Sequence, residues 1–64
     1  MERNSRKLKK RLEADGWFVV NTEGSHWQFK HPDIKGRLTL PHPRKDISPG
    51  VVRQIYKSAG WKKD

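Results

Sequence analysis

Cysteine is absent from this 64-residue chain, so neither a disulfide nor a thiolate metal ligand can reinforce its core. That absence fits a reducing cytoplasm, where the protein is expected to reside. Long apolar runs are missing too. Nothing approaches the roughly 20 residues that cross a bilayer, and the first residues lack the apolar stretch of a signal peptide, so no membrane is expected among its partners. Acidic residues are scarce, and Asp15, Glu23, Asp33 and Asp46 are scattered through turns and helix ends. A two-metal nuclease needs carboxylates converging on ions about 4 Å apart, which this scatter does not predict. His26, His31 and His42 follow no common zinc spacing. The chain has no nucleophile elbow, no phosphate loop and no GxGxxG, so neither metal nor cofactor is expected.

What the chain does have is positive charge. Fifteen Lys and Arg against seven Asp and Glu leave a formal charge of +8. Such a field attracts polyanions and speeds their capture without specifying a fold. Nucleic acid, an acidic membrane surface and an acidic protein all satisfy it on charge alone, and a lopsided basic balance favours nucleic acid. The length sets one domain, residues 1–64, which buries only about 60% of its unfolded surface. The candidate core is Leu8, Leu12, Trp17, Val19 or Val20, Phe29, Leu38, Leu40, Ile47, Val51, Val52, Ile55 and Ala59.

The spacing predicts a helix over Asn4–Asp15. Asn4 or Ser5 can cap it, Leu8 and Leu12 share a face, and Gly16 suits a left-handed exit. Most of its other positions are cationic, including Lys9, Lys10 and Arg11, which could track phosphates or form a solvated face. Trp17–Val20, aromatic and β-branched, reads as a strand, followed by a turn over Thr22–Ser25. His26–His31 alternates as a second strand, with Trp27, Phe29 and His31 on one face and His26, Gln28 and Lys30 on the other. After a turn over Pro32–Gly36, Arg37–Leu40 forms a third strand with Leu38 and Leu40 buried, and Pro41 ends it. Ser48 is suited to cap a final helix with Pro49 at its first position, and Ile47 and Val52 are spaced for a hydrophobic staple. Val51, Val52, Ile55 and Ala59 form that helix's core stripe, Gly60 ends it, and Trp61 can fold back over its last turn. Lys62–Asp64 are expected to lie beyond the fold. The class is therefore α+β in the order α-β-β-β-α, a three-stranded antiparallel sheet with both helices on one face, as in double-stranded-RNA-binding-domain-like folds.

Metal-free acid–base chemistry is what this inventory leaves. Imidazole, with an unperturbed pKa of about 6.5, can take and return protons near neutral pH. Cutting RNA without a metal needs a base for the 2′-hydroxyl, an acid for the leaving oxygen and cations around the phosphorus. His26 follows a glycine turn and shares its face with Lys30 and Arg37. Considered alone, one histidine on a strand also fits a hydrogen-bonded turn residue. His31 and His42, beside prolines at strand ends, fit structural or phosphate-contacting roles. Trp17 and Trp61 fit packing, and Trp27 could also stack on a base.

The run Gly24-Ser25-His26-Trp27-Gln28-Phe29-Lys30-His31-Pro32 resembles the glycine-serine-histidine signature of the HicA mRNA interferase family. Asp15-Gly16-Trp17 precedes it. Leu38-Thr39-Leu40-Pro41-His42-Pro43, Ile47-Ser48-Pro49-Gly50 and Arg53–Trp61 follow in the family's order, so the likeness covers residues 8 to 61. Val51 departs from it, since many relatives carry threonine there. The resemblance implies a toxin of a type II toxin–antitoxin pair that cleaves mRNA and arrests translation and growth. It implies His26 as the catalytic residue, and Gly24 as the residue that lets backbone and RNA approach closely. It also implies an acidic HicB-type antitoxin that covers His26. The RNA-binding set expected around it is Gly24, Ser25, Gln28, Lys30, Arg37, Lys9, Lys10 and Arg11, on a toxin that is monomeric when free. Two other readings use the same charge. One is a non-catalytic RNA-binding module of the same fold, and the other is a DNA-binding regulator that inserts its last helix.

Overall fold

The computed structural model describes residues 1–62; Lys63 and Asp64, in the tail expected to lie beyond the fold, fall outside the described residues. Five elements follow one another: α1 (Ser5–Ala14), β1 (Phe18–Glu23), β2 (His26–Lys30), β3 (Leu38–Pro41) and α2 (Pro49–Ala59). The strands form one antiparallel sheet in the order β1-β2-β3. Leu8 and Leu12 of α1, and Val52, Ile55, Tyr56 and Ala59 of α2, share one core with Trp17, Phe29, Leu38, Leu40 and Ile47. Both helices therefore cover the same face of the sheet, as expected, and the other face stays open.

Each boundary has a local cause. Asn4 rather than Ser5 caps α1, its side chain accepting from the Arg6 and Lys7 N–H groups. Gly16 follows with φ of +100°, and the Trp17 N–H reaches back to the Leu12 carbonyl at 2.9 Å. β1 runs on to Glu23, further than the expected Trp17–Val20, because a two-residue turn at Gly24–Ser25 closes the hairpin and pairs Glu23 with His26. Phe29 and Trp27 face Leu38 and Leu40 across the next ladder. Ser48 stands at the N-cap of α2 with extended backbone, but its hydroxyl makes no capping bond; its carbonyl accepts the Val52 N–H at 3.0 Å. Gly60 ends α2, and Trp61 folds back so that its N–H donates to the Tyr56 carbonyl at 2.9 Å.

One expected packing position is corrected, one alternative is decided and one buried residue is added. Val20 is the extra residue of a bulge between Val19 and Asn21, so it is 41% exposed while Val19 packs on the core. Val51 is 37% exposed at the edge of α2, and the buried stripe runs through Val52, Ile55, Tyr56 and Ala59, the i, i+3, i+4, i+7 spacing of a helix face. Tyr56 carries the burial expected of Val51, because its hydroxyl finds partners: it accepts the Glu2 N–H at 2.9 Å and an Arg11 guanidinium N–H at 3.2 Å.

The chain before α1 is strapped to the β3–α2 connection. The Ile47 N–H donates to the Arg3 carbonyl at 2.9 Å, the Arg3 Nε–H returns a bond to the Ile47 carbonyl at 2.8 Å, and the Ser5 N–H donates to the Arg44 carbonyl at 2.8 Å. An ion pair between Arg3 and Asp46 at 3.0 Å is exposed and adds little.

Gly16 tests the α1–β1 corner. A Cβ there would meet His31 Nε2 at 2.9 Å, in a backbone region that side chains rarely adopt. Gly16→Ala is expected to destabilise the domain by about 1–2 kcal/mol from backbone strain alone, and so to lower the midpoint of thermal unfolding by roughly 4–8 °C per kcal/mol. An unchanged melting temperature would show that the corner relaxes freely.

Candidate active site

The open face of the sheet is built by alternation. With Trp27 and Phe29 turned to the core, His26, Gln28 and Lys30 of β2 turn outward, joined by Thr39 of β3 and by Arg37 just before it. His26 is exposed directly after the Gly24–Ser25 turn, with Glu23 and Pro41 as its ladder neighbours. An Arg37 guanidinium N–H donates to Gln28 Oε1 at 2.7 Å, which fixes the cation across the strand from the histidine.

A groove of about 670 Å³ opens between β3 and α2, and His26 is among the residues that line it. Leu38 and Ile55 supply apolar lining, and Arg37, Thr39, Ser48, Gln54 and Ser58 supply polar groups. Of the expected site residues, the structure brings His26 and Arg37 into this groove. Gly24 and Ser25 lead into it, and Gln28 and Lys30 lie on the adjoining open face. Thr39, Ser48, Gln54 and Ser58 were not among the expected site residues. Their signal was the outward position of Thr39 between Leu38 and Leu40, and a second helical stripe through Val51, Gln54 and Ser58 beside the buried one.

Lys9, Lys10 and Arg11 are not brought to His26. They lie on α1, on the helix-covered side of the sheet. The Lys9 ammonium bonds Glu13 at 3.0 Å and stands 5.7 Å from the Trp27 ring centre. Arg11 stacks over Trp61 at 4.2 Å and over Tyr56 at 5.2 Å, a pair of cation–π contacts that hold the guanidinium against the end of α2. Lys10 is exposed.

The other two histidines are built into the fold. His31 Nδ1 accepts the Asp33 N–H at 3.0 Å, so its ring proton is on Nε2, from which it donates to the Asp15 carbonyl at 2.8 Å. Its ring tilts against Trp17 at 5.2 Å. His42 meets Trp27 edge-on at 4.7 Å. The Ser5 hydroxyl, buried, accepts the Arg44 N–H at 2.7 Å and is hydrogen-bonded to His42 Nδ1 at 2.8 Å. Burial, with Lys9 and Arg6 nearby, pushes the His42 imidazole below its ordinary value of 6.5. Among the described residues, no three His, Asp or Glu side chains converge as a metal site. Nor, among them, is any helix long and apolar enough to cross a membrane.

Element order and sheet topology place the chain among the double-stranded-RNA-binding-domain-like α+β folds, a class that hosts many activities. The family is narrower. The model of the family described as HicA toxin of bacterial toxin-antitoxin matches residues 5–61. A chain in the solved HicA3 and HicB3 toxin-antitoxin complex superposes with a TM-score of 0.76 at 42% identity, the match covering 94% of this chain and 97% of that one. No curated protein sequence matches the chain significantly. The chain belongs to the HicA toxin family, the toxins of bacterial toxin–antitoxin pairs.

His42 gives the site's surroundings a pH dependence with a definite sign. Its folded pKa lies below the unfolded value of 6.5, so the unfolded chain binds the extra proton first. The stability contributed by the neutral ring is complete above pH 6.5 and is lost as pH falls below it toward the folded value. His42→Asn keeps a hydrogen-bonding side chain for the Ser5 hydroxyl and cannot titrate. Urea midpoints measured between pH 8 and 5 are expected to fall further for the wild type than for this variant, and parallel curves would show that His42 is not the sensor.

Proposed function

We propose that this toxin is an endoribonuclease that cleaves mRNA by metal-independent acid–base chemistry, with His26 as its catalytic residue, and so arrests translation and growth. The observation that carries the reading is the placing of His26. It is an exposed imidazole lining a groove of mixed polar and apolar groups, on the face both helices leave open, with Arg37 lining the same groove and bonded to Gln28.

In this mechanism the RNA backbone lies on the open face with a phosphodiester beside His26. The imidazole takes the proton of the 2′-hydroxyl as its oxygen attacks phosphorus. The bond to the 5′-oxygen breaks, and that oxygen takes a proton from solvent water at the exposed face, leaving a 2′,3′-cyclic phosphate on one fragment and a 5′-hydroxyl on the other. Arg37, oriented by Gln28, and Lys30 offset the charge that builds on the phosphoryl oxygens. The Gly24–Ser25 turn, with glycine at φ of +55° and no side chain over it, lets the RNA backbone come close to His26.

A digestion series tests this. His26 makes no side-chain hydrogen bond among the described residues, so His26→Ala is expected to melt like the wild type while cutting RNA about 10²–10⁴ times more slowly. The wild type is expected to cut in excess chelator and to leave cyclic phosphate ends. Wild-type cleavage by the variant, or a strict magnesium requirement with 5′-phosphate ends, would overturn the assignment. RNA binding without cleavage by the unmodified protein would make it a binding module instead.

The partner follows from the same face. The solved relative was determined as a toxin–antitoxin complex with HicB3. For this chain we infer an acidic antitoxin of the HicB type that seats on the open face and buries His26. Complementary charge speeds such an encounter, and the imidazole is then closed to a phosphodiester. Hydrogen exchange is expected to slow over residues 24–31 and 37–40 when the antitoxin binds. Protection confined to α2, with RNA still reaching His26, would defeat occlusion.

A further inference from the structure

On the far side of the Pro41–His42 segment from the His26 groove lies a second concavity, of about 430 Å³, between the start of α1 and residues 42–45. Its rim carries four cations, Arg6 and Lys7 from α1 and Arg44 and Lys45 from the connection. All four are exposed, and none makes an ion pair or a side-chain hydrogen bond among the described residues. Their neighbours are committed, Arg3 to Asp46 and Lys9 to Glu13. The helix amides are committed as well. The Ser5 N–H goes to the Arg44 carbonyl, the Arg6 and Lys7 N–H groups go to the Asn4 side chain, and the Leu8 N–H goes to the Asn4 carbonyl. An anion in this concavity would be held by side chains.

We propose that this concavity is a phosphate-binding subsite for RNA, and that a single strand with its reacting phosphate at His26 continues past Pro41 and His42 into it. The proposal rests on the ribonuclease reading and extends it to how the substrate is gripped. Continuity is structural: Pro41 is the ladder partner of His26 and lines the first groove, while His42, whose N–H donates to the Ser25 carbonyl at 2.8 Å, lines the second. Four cations, Arg6, Lys7, Arg44 and Lys45, none paired among the described residues, are gathered on one short stretch of surface beside Pro43, an arrangement suited to successive phosphates.

The test is a salt titration of RNA binding, in the His26→Ala background so that the strand is not consumed. A fluorescent 12-nucleotide single strand and a 3-nucleotide strand are compared by anisotropy, with Arg6→Ala/Lys7→Ala and Arg44→Ala/Lys45→Ala as pair variants. Each phosphate contact on a single strand contributes about 0.7 to the slope of log K against log salt, or about fivefold in affinity at 0.1 M salt. Each pair is therefore expected to flatten the slope for the long strand by about 1.4, while leaving the short strand and the melting temperature unchanged. Arg44→Glu/Lys45→Glu is expected to deepen the loss.

Long-strand affinity and slope that survive all three variants would overturn the subsite. So would unchanged RNA binding with weakened capture of a HicB-type antitoxin, which would assign the patch to the protein partner. Cleavage by the protein with His26 intact is followed in parallel. An inactive protein whose long-strand binding still depends on these cations would sink the ribonuclease reading alone and support the subsite.

Discussion

A single hydroxyl, that of Ser5, joins the start of α1 to the segment that follows β3. It sits at the first turn of α1, almost fully buried, accepts the Arg44 N–H and is hydrogen-bonded to His42 Nδ1. Because the backbone of Ser5 also donates to the Arg44 carbonyl, residues 42–44 are held by three bonds to one residue. His42 in turn receives Trp27 against its ring and donates its N–H to Ser25, the residue before His26. The turn that presents His26 is thus fastened through β3 to the start of α1. A buried hydroxyl with two hydrogen-bond partners is stabilising in this setting, whereas the same group with its partners removed would carry a desolvation cost of about 1–3 kcal/mol.

The sidedness of the molecule follows from the same arrangement. With α1 and α2 both packed on the face of Phe29, Leu38 and Leu40, one surface of a three-stranded sheet is left without cover. A domain this small has little apolar area to spare, and the open face is furnished with His26, Gln28, Lys30, Arg37 and Thr39. The groove beside it is a composite of strand and helix, because α2 buries only one stripe and leaves Val51, Gln54 and Ser58 at the lip. Catalysis and inhibition, as proposed, compete for one surface. No remote switch is required for an antitoxin to silence such an enzyme; occupancy is enough.

Much of this was legible in the residues, and the legible part was periodic. Leu8 and Leu12, the alternation of His26 through Lys30, and the inward Leu38 and Leu40 gave the elements, the sheet face and the outward direction of His26. What escaped depended on partners far away in sequence. Tyr56 is buried because Glu2 and Arg11, 54 and 45 residues distant, satisfy its hydroxyl. Ser5 read as a capping residue because its true partners lie 37 and 39 residues on. Arg11 read as part of a phosphate-tracking or solvated cationic face for the same reason, since the rings that flank it belong to the other end of the chain. The groove-lining Gln54 and Ser58 form a weaker stripe that gains meaning only when β3 is set beside it. The boundary of β1 was missed because Asn21, Thr22 and Glu23 have the chemistry of a turn but are recruited by the ladder opposite them.

The bulge at Val20 bears on how this sheet could tolerate the loss or gain of a residue. Side chains alternate across a strand, so removing one residue from β2 would send every position beyond it to the wrong face, exchanging His26 with the core. At Val20 the ladder already holds one residue more than its partner strand. Val19 faces Phe29 and Asn21 faces Gln28, so deleting Val20 would leave both halves of β1 in phase with β2. Within this hairpin, Val20 is thus where the length of the chain can change while the inner and outer surfaces of the sheet keep their residues.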